Sequence, residues 1–129
     1  MKKFLLKRKK IARYYDSVFK SDPIIKTPIN SINVTHAYHL YPLQINFEIC
    51  KVKKKELFKI MYNYGFNLQV HYIPVHLQPY YAKRYEYKRP ELQNSETFYE
   101  REISIPIYPD LNISTQKLFI RTLLKVLHD

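Results

Sequence analysis

Histidines are the residues of this chain whose type and spacing most suggest chemistry. Four of the five fall into two pairs, three and five residues apart: His36 with His39, and His71 with His76. Paired imidazoles are common zinc ligands. On an extended strand, however, odd spacings place the two members of a pair on opposite faces. Because no carboxylate stands beside them in the sequence, we expect half-buried or pocket-lining histidines rather than a metal site.

The segment 69–81 holds the densest set of hydrogen-bonding and aromatic side chains. It contains a predicted strand ending at His71 and Tyr72, a proline turn, a second imidazole at His76 and the pair Tyr80-Tyr81. In α/β proteins ligands often bind at strand ends, where imidazoles and phenols can hydrogen-bond a sugar or a phosphate. The alternative is a well-packed aromatic corner without a ligand.

Cys50 is the only cysteine, so an intramolecular disulfide and a cysteine zinc site are both excluded. We expect it to be a small buried hydrophobe rather than a nucleophile. The apolar start of the chain is interrupted at Lys7, too early for a secretory signal, and no stretch of the sequence is apolar enough to cross a bilayer. These features predict a cytoplasmic chain with no membrane partner.

Charge is concentrated at the N-terminal end. The net charge is +11, and residues 1–20 carry eight basic side chains against Asp16 alone. Such an end could bind nucleic acid or an acidic chain, or it could be a solvated helix face. Four tyrosines that could stack on bases lie elsewhere, at Tyr80, Tyr81, Tyr85 and Tyr87, and no spacing typical of a nucleic-acid-binding module is present. A basic interaction module therefore remains the alternative function, with nucleic acid the less favoured partner.

The chain contains a single glycine, Gly65. Loops that wrap a phosphate in backbone N–H groups need glycine at several nearby positions, which excludes a dinucleotide fingerprint and a P-loop. Gly65 follows the apolar periodicity of 53–64, so we interpret it as the residue that ends a helix.

Hydrophobic periodicity predicts a small α/β sandwich, a single domain with helices packed on about three strands. Helices are predicted at 3–20, at 53–64, from a cap at Asn94 or Ser95 to Arg101, and from a cap at Asn112 or Ser114 onward. The buried side of the last helix is predicted to comprise Leu118, Phe119, Ile120, Leu123, Val126 and Leu127. Strands are predicted at 34–47 with a bend at Pro42, at 67–73, and at 103–107 as an edge strand, and 79–91 as a surface excursion with a short helical turn.

The stretch 71–81 resembles the C-terminal domain of the DegT/DnrJ/StrS family of pyridoxal-phosphate (PLP) sugar aminotransferases. Three further stretches resemble that family in the same order, at 7–16, 36–42 and 96–109. Together these cover nearly the whole chain. The resemblance implies the small C-terminal domain of a fold-type I aminotransferase, with residues 1–20 as an amphipathic interdomain helix and residues 21–129 as the small domain.

Members of this family are about three times longer, and their Schiff-base lysine and most cofactor contacts lie in a large N-terminal domain. None of the sixteen lysines of this sequence matches the family's lysine motif, and a PLP aminotransferase needs that lysine. The resemblance thus implies a fragment that binds no cofactor alone and is inactive unless a separately encoded large domain joins it. An uncovered interdomain helix also predicts self-association.

The resemblance carries one role onto residues of this chain. The family's equivalent of Gln69, Val70, His71 and Tyr72 faces a nucleotide-sugar, so these four, together with His76, are the expected substrate contacts. In this chain alone, binding of the nucleotide-sugar is expected to be weak or absent. The implied reaction is amino transfer from glutamate to a UDP-linked 4-keto-6-deoxy sugar. The sequence departs from the family pattern where glycines are usual, at Asn67 and near Arg84.

Overall fold

The structure is a computed structural model that describes residues 2–31, 33–85 and 91–129. Within these ranges the chain forms five α-helices and a three-stranded antiparallel sheet of order β1-β2-β3. The elements in chain order are α1 (Lys2–Phe19), β1 (Ile25–Lys26), β2 (Pro42–Ile45), α2 (Lys54–Asn63), a 3-10 turn (Val75–Leu77), α3 (Pro79–Arg84), α4 (Gln93–Arg101), β3 (Glu102–Ser104) and α5 (Ile113–His128). The predicted α/β class and strand number are confirmed.

Helix α1 confirms the amphipathic helix predicted at 3–20. Its second half packs into the core through Ile11, Ala12, Tyr15 and Phe19, whose spacing places them on one face. Its first half is less covered, since the side chain of Phe4 is 54% exposed. None of the helices in the described part of the chain has both the length and the hydropathy needed to span a lipid bilayer.

The sheet is short, and its central strand is β2. Leu43 lies opposite Ile103, and Ile45 lies opposite Ile25. The first three of these side chains are fully buried. Strand β1 is absent from the sequence prediction because two residues are too few to show a period of two.

The strand predicted at 34–47 is wrong in its first half, and only Pro42–Ile45 belongs to the sheet. At Tyr38 the backbone has φ 49°, a left-handed conformation that no strand contains. The Tyr38 N–H donates to His36 Nδ1 at 2.9 Å, and its carbonyl accepts from Arg8 at 2.9 Å. Side chains therefore take the hydrogen bonds that a sheet ladder would need.

The strand predicted at 67–73 is also wrong, because this segment makes a single bridge to the sheet. Gln69 and Ser104 exchange two backbone hydrogen bonds, at 2.8 and 3.3 Å. Two residues further on, the His71 N–H donates to the side chain of Glu102 at 3.1 Å. A carboxylate thus replaces the backbone carbonyl that would have extended the ladder.

Gly65 ends α2 as predicted. Its φ is 82°, and its N–H donates to Tyr62 O while the N–H of Phe66 donates to Met61 O. This pair of hydrogen bonds is the Schellman arrangement, which needs a left-handed residue after the helix. The reversal directs Phe66 into the core, where its ring lies edge-on to Phe119 at 5.2 Å.

The predicted caps have mixed outcomes. Of the two residues proposed for α5, Asn112 is the cap, since its Oδ1 accepts from Thr115 N at 2.8 Å. The cap predicted for α4 is wrong, because that helix begins at Gln93 after Leu92. Leu118, predicted to be buried, is 43% exposed, whereas Phe119, Ile120, Leu123 and Leu127 are buried as predicted and Val126 is partly buried.

Buried aromatic rings join α1 to the sheet and to α5. We call Tyr15, Phe19, Tyr41 and Phe119 the tyrosine layer; the ring of Tyr15 stacks on Phe19 and lies 5.1 Å from Tyr41. The hydroxyl of Tyr15 donates to Pro106 O at 2.8 Å, and that of Tyr41 donates to Asp16. Burial raises the pKa of both phenols well above the ordinary value.

Candidate substrate-binding site

An open pocket of about 390 Å³ lies beside β3, between the segment after α2 and the start of α5. Its floor is apolar and includes Phe66 and Phe119. Polar side chains converge on it from four parts of the chain: His39, Asn67, Gln69, His71, Ser104, Tyr108 and Thr115. An apolar floor with a few convergent polar groups is typical of a small-molecule site.

Strand β3 brings two polar side chains to the pocket side of the sheet. Glu102 and Ser104 are two residues apart and therefore lie on one face, while Ile103 lies on the other, in the core. Both polar residues are buried. The Gln69–Ser104 bridge sets the register of the neighbouring segment, and this brings His71 level with Glu102.

His71, Ser104 and Glu102 form a continuous hydrogen-bonded chain. Nδ1 of His71 lies 2.7 Å from Ser104 Oγ, and the Ser104 hydroxyl donates to Glu102 Oε1 at 2.7 Å. The second oxygen of Glu102 accepts the backbone N–H of His71. The carboxylate is therefore satisfied on both oxygens although its residue is fully buried.

The second imidazole of the segment pairs directly with a carboxylate. Nε2 of His76, in the 3-10 turn, lies 3.1 Å from Oε1 of Glu96 on α4, and both side chains are less than a tenth exposed. We call His71, His76, Glu96, Glu102 and Ser104 the histidine corner. No carboxylate stands beside these histidines in the sequence, and both acids that contact them come from distant parts of the chain.

Lys54 lies close enough to Glu102 for that carboxylate to affect its pKa. Its ammonium donates to the carbonyl of Tyr99. Burial lowers the pKa of Lys54, against the opposing effect of the Glu102 and Glu100 carboxylates.

The structure brings only some of the predicted site residues together. Gln69 and His71 line the pocket. Val70 is half-buried, and Tyr72 is 75% exposed. His76 does not line this pocket and is bound to Glu96. Whether these residues contact substrate remains a prediction.

Three polar residues of this region escaped the sequence analysis: Ser104, Glu102 and Glu96. The predicted strand began at Ile103, so the alternation of polar Glu102 and Ser104 with apolar Ile103 and Ile105 went unused. That pattern is the signal that could have identified a polar strand face. For Glu96, on a helix rich in polar residues, the sequence carries no comparable signal.

The paired-histidine metal hypothesis finds no support in the geometry. Over residues 2–31, 33–85 and 91–129, no three histidine, cysteine or acidic side chains are grouped as metal ligands. His36 accepts from a backbone N–H, while His39 lines the pocket. Cys50 is half-buried beside the carbonyl of Asn46, and burial raises the pKa of its thiol.

The tyrosines considered for base stacking lie on and after α3, the helical turn predicted within 79–91. Tyr80, Tyr81 and Tyr85 are exposed, and the guanidinium of Arg84 lies 6.0 and 5.8 Å from the rings of Tyr80 and Tyr85. Tyr87 lies outside the described residues. The basic side chains of α1 lie on a different element from these tyrosines.

The pocket does not fit a PLP cofactor by itself. A Schiff base needs a lysine, and none of the described residues that line the pocket is a lysine. Lys54, the lysine with a lowered pKa, lies outside it and is bound to a backbone carbonyl. No catalytic step through PLP can therefore be assigned to these side chains.

Comparison with known proteins shows which class of protein has this fold. A profile of the DegT/DnrJ/EryC1/StrS aminotransferase family matches residues 1–123. The spore coat polysaccharide biosynthesis protein SpsC of Bacillus subtilis is 35% identical over 107 residues, which are 82% of this chain and 28% of that protein. The UDP-4-amino-4,6-dideoxy-N-acetyl-beta-L-altrosamine transaminase of Campylobacter jejuni is 35% identical over 123 residues, 95% of this chain and 32% of the enzyme.

Among solved structures, the PseC aminotransferase of Helicobacter pylori, which is involved in the biosynthesis of pseudoaminic acid, superposes with a TM-score of 0.85. The two are 27% identical, and the match covers 96% of this chain and 33% of PseC. The fold is thus that of one part of a sugar aminotransferase. The chain belongs to the DegT/DnrJ/EryC1/StrS aminotransferase family, and it spans about a third of the length of the relatives it matches. The expected resemblance is confirmed.

Proposed function

We propose that this chain is the C-terminal small domain of a PLP-dependent sugar aminotransferase and provides contacts to a nucleotide-sugar. The observation that carries the proposal is that Gln69 and His71 line one pocket in a chain of this family. The inferred reaction transfers an amino group from glutamate to a UDP-linked 4-keto-6-deoxy sugar, because a relative 35% identical over 95% of the chain is named as an altrosamine transaminase.

The proposed contacts have complementary chemistry. The Gln69 amide can both donate and accept, and the imidazole of His71 offers one ring nitrogen. Tyr72, largely exposed, supplies an aromatic face and a hydroxyl at the edge of the site, with Val70 beside it. His76 holds the following turn to α4 through Glu96. Together these groups would bind and orient the sugar, while PLP, when bound, supplies the electron sink.

We propose that the Schiff-base lysine comes from outside these 129 residues. This division is supported by the pocket lining, which includes no lysine within residues 2–31, 33–85 and 91–129. Borohydride reduction of the protein with PLP should therefore trap no adduct at a unique lysine, and glutamate with a UDP-4-keto sugar should give no product. A stoichiometric adduct at one lysine contradicts the proposal.

Residues 1–20 are proposed as the interdomain helix and residues 21–129 as the small domain. Phe4 and Leu6, on the first half of α1, are exposed apolar side chains that a large domain could cover. The large domain could be part of a separately encoded chain. Without that contact we expect self-association, since apolar side chains outside the core favour it. Sedimentation velocity tests this, and a monomer at all concentrations contradicts it.

Co-expression with a PLP-binding large domain tests the division of roles between the two domains. The two chains together should catalyse transamination.

Titration with UDP-N-acetylglucosamine, followed by amide NMR, tests substrate binding directly. We expect shifts at Gln69 and His71, and about tenfold weaker binding in Gln69→Ala, equivalent to about 1.4 kcal/mol. Gln93→Ala, on the exposed surface of α4, is the matched control and should bind normally. Retention on heparin at physiological salt without any response to the UDP-sugar would favour the basic interaction module instead.

A further inference from the structure

The two ring nitrogens of His71 have different surroundings. Nδ1 lies 2.7 Å from Ser104 Oγ. For Nε2, no hydrogen bond to another described residue is present. Because the half-buried His71 also lines the pocket, Nε2 is the ring nitrogen left for a ligand. Whether Nε2 donates or accepts a hydrogen bond depends on which of the two nitrogens carries the single proton of the neutral imidazole.

The hydrogen-bonded chain determines where that proton lies. An ionised carboxylate only accepts hydrogen bonds, and Glu102 accepts two, from the Ser104 hydroxyl and from the His71 backbone N–H. The single proton of the Ser104 hydroxyl is therefore committed to Glu102. Toward His71, Ser104 can only accept, so Nδ1 must carry the ring proton.

The groups facing Glu102 are two donors and a cation. Both of its oxygens accept hydrogen bonds, and its carboxylate acts against the effect of burial on the pKa of Lys54. With Glu102 as a carboxylate, the proton order from ring to serine to carboxylate satisfies every donor and acceptor in this chain.

We propose that Ser104 and Glu102 are positioning residues that hold His71 in the Nδ1–H tautomer, so that Nε2 enters the pocket as a hydrogen-bond acceptor. As an assignment of a substrate contact, this inference rests on the proposed function. It predicts the chemistry of the group that His71 recognises: a sugar hydroxyl or an amide N–H. A phosphate at neutral pH offers only acceptors, so the nucleotide's phosphates must be bound by other groups.

Long-range 1H–15N spectra of histidine-labelled protein without ligand test the tautomer. At pH 7.5 we expect Nδ1 of His71 to resonate as a protonated ring nitrogen and Nε2 as an unprotonated one. A His71 found as the Nε2–H tautomer, or as a mixture of the two, overturns the proposal. Since this measurement needs no ligand, its result is independent of whether the protein binds a sugar nucleotide.

Variants of Ser104 separate positioning from a merely structural role. Ser104→Ala removes the acceptor of Nδ1, and we expect the Nε2–H form of His71 to appear. Ser104→Thr keeps the hydroxyl and should restore the wild-type tautomer. Ser95→Ala, at an exposed serine of α4, is the matched control. An unchanged His71 spectrum in a folded Ser104→Ala protein overturns the proposal.

The last experiment records the same spectra with saturating UDP-N-acetylglucosamine and, in parallel, with UDP alone. We expect the Nε2 resonance of His71 to shift when the sugar nucleotide binds, while the nitrogen remains unprotonated. The shift with UDP alone should be smaller. Protonation of Nε2 on binding either compound overturns the assignment of a donor group. If neither compound binds while the ligand-free tautomer is as expected, the substrate contact proposed for this chain alone fails and the positioning by Ser104 and Glu102 stands.

Discussion

The tyrosine layer and the histidine corner both place polar side chains against the same sheet, yet they use them differently. In the tyrosine layer each hydroxyl ends on an acceptor of the chain, Pro106 O or Asp16. In the histidine corner the hydrogen-bonded chain from Glu102 through Ser104 stops at the ring of His71, which lines an open pocket.

The difference separates packing from recognition. Buried polar groups normally have their partners within the protein, and the tyrosine layer follows this rule entirely. In the histidine corner the exception is Nε2 of His71, which has no hydrogen bond to another described residue. A ligand site requires such an available polar atom. His76, five residues on, gives the contrast, because its Nε2 is paired with Glu96.

The largest effect should come from opening a cavity in the tyrosine layer. Phe19 is fully buried and stacks on Tyr15, so Phe19→Ala should lower the free energy of unfolding by about 3–5 kcal/mol. Phe4→Ala, on the exposed half of the same helix, should change it by less than about 0.5 kcal/mol. Urea unfolding measures both, and similar losses for the two variants contradict the assignment of the core face.

In the histidine corner, Glu102→Ala should be the most damaging change. It leaves the Ser104 hydroxyl and the His71 N–H without their acceptor, which should lower the free energy of unfolding by about 2–4 kcal/mol. Glu100→Ala, at an exposed position two residues earlier, is the matched control and should be near neutral. A loss below about 1 kcal/mol for Glu102→Ala argues against its central role.

A smaller effect is expected from Tyr41→Phe, about 1 kcal/mol at neutral pH, because one hydrogen bond to Asp16 is lost. The pH profile carries more information. Burial, reinforced by Asp16, raises the pKa of Tyr41, so stability is complete below the unfolded value near 10 and declines as pH rises further. This decline should be shallower in Tyr41→Phe and unchanged in the exposed control Tyr62→Phe, as judged by thermal unfolding from pH 8 to 11.

The smallest effect concerns Lys54, whose pKa is lowered by burial. Between the folded pKa and the unfolded value near 10.5, the unfolded chain binds more protons, so stability attributable to Lys54 increases as pH rises. The stability of the wild type relative to Lys54→Met should therefore increase toward pH 10. An equal difference at pH 7 and pH 10 contradicts the lowered pKa.

Local patterns predicted the helices better than the strands. The periodicity of α1 and α5 and the single glycine after α2 reflect contacts within one segment, so the sequence displays them. The strands at 34–47 and 67–73 were overestimated because side chains of distant residues, Arg8 and Glu102, take the backbone hydrogen bonds there. Such competition depends on residues far away along the chain, which a short stretch of sequence does not include.

The same limit applies to the site. Local composition singled out the segment 69–81, because its polar and aromatic side chains are dense, and the family resemblance named Gln69 and His71 within it. It could not identify Ser104 and Glu102 as the partners of His71, because the three meet only when the Gln69–Ser104 bridge sets the register between distant segments.

By itself, the sequence determined the α/β class, the amphipathic first helix, the helix end at Gly65 and the family to which the chain belongs. Each of these is encoded in residue order, through periodicity, a required left-handed backbone or an ordered set of motifs. The tertiary structure alone decided which histidine faces a pocket and which is paired with an acid. That choice depends on which carboxylate approaches each ring, and the approach is fixed by strand register and helix packing.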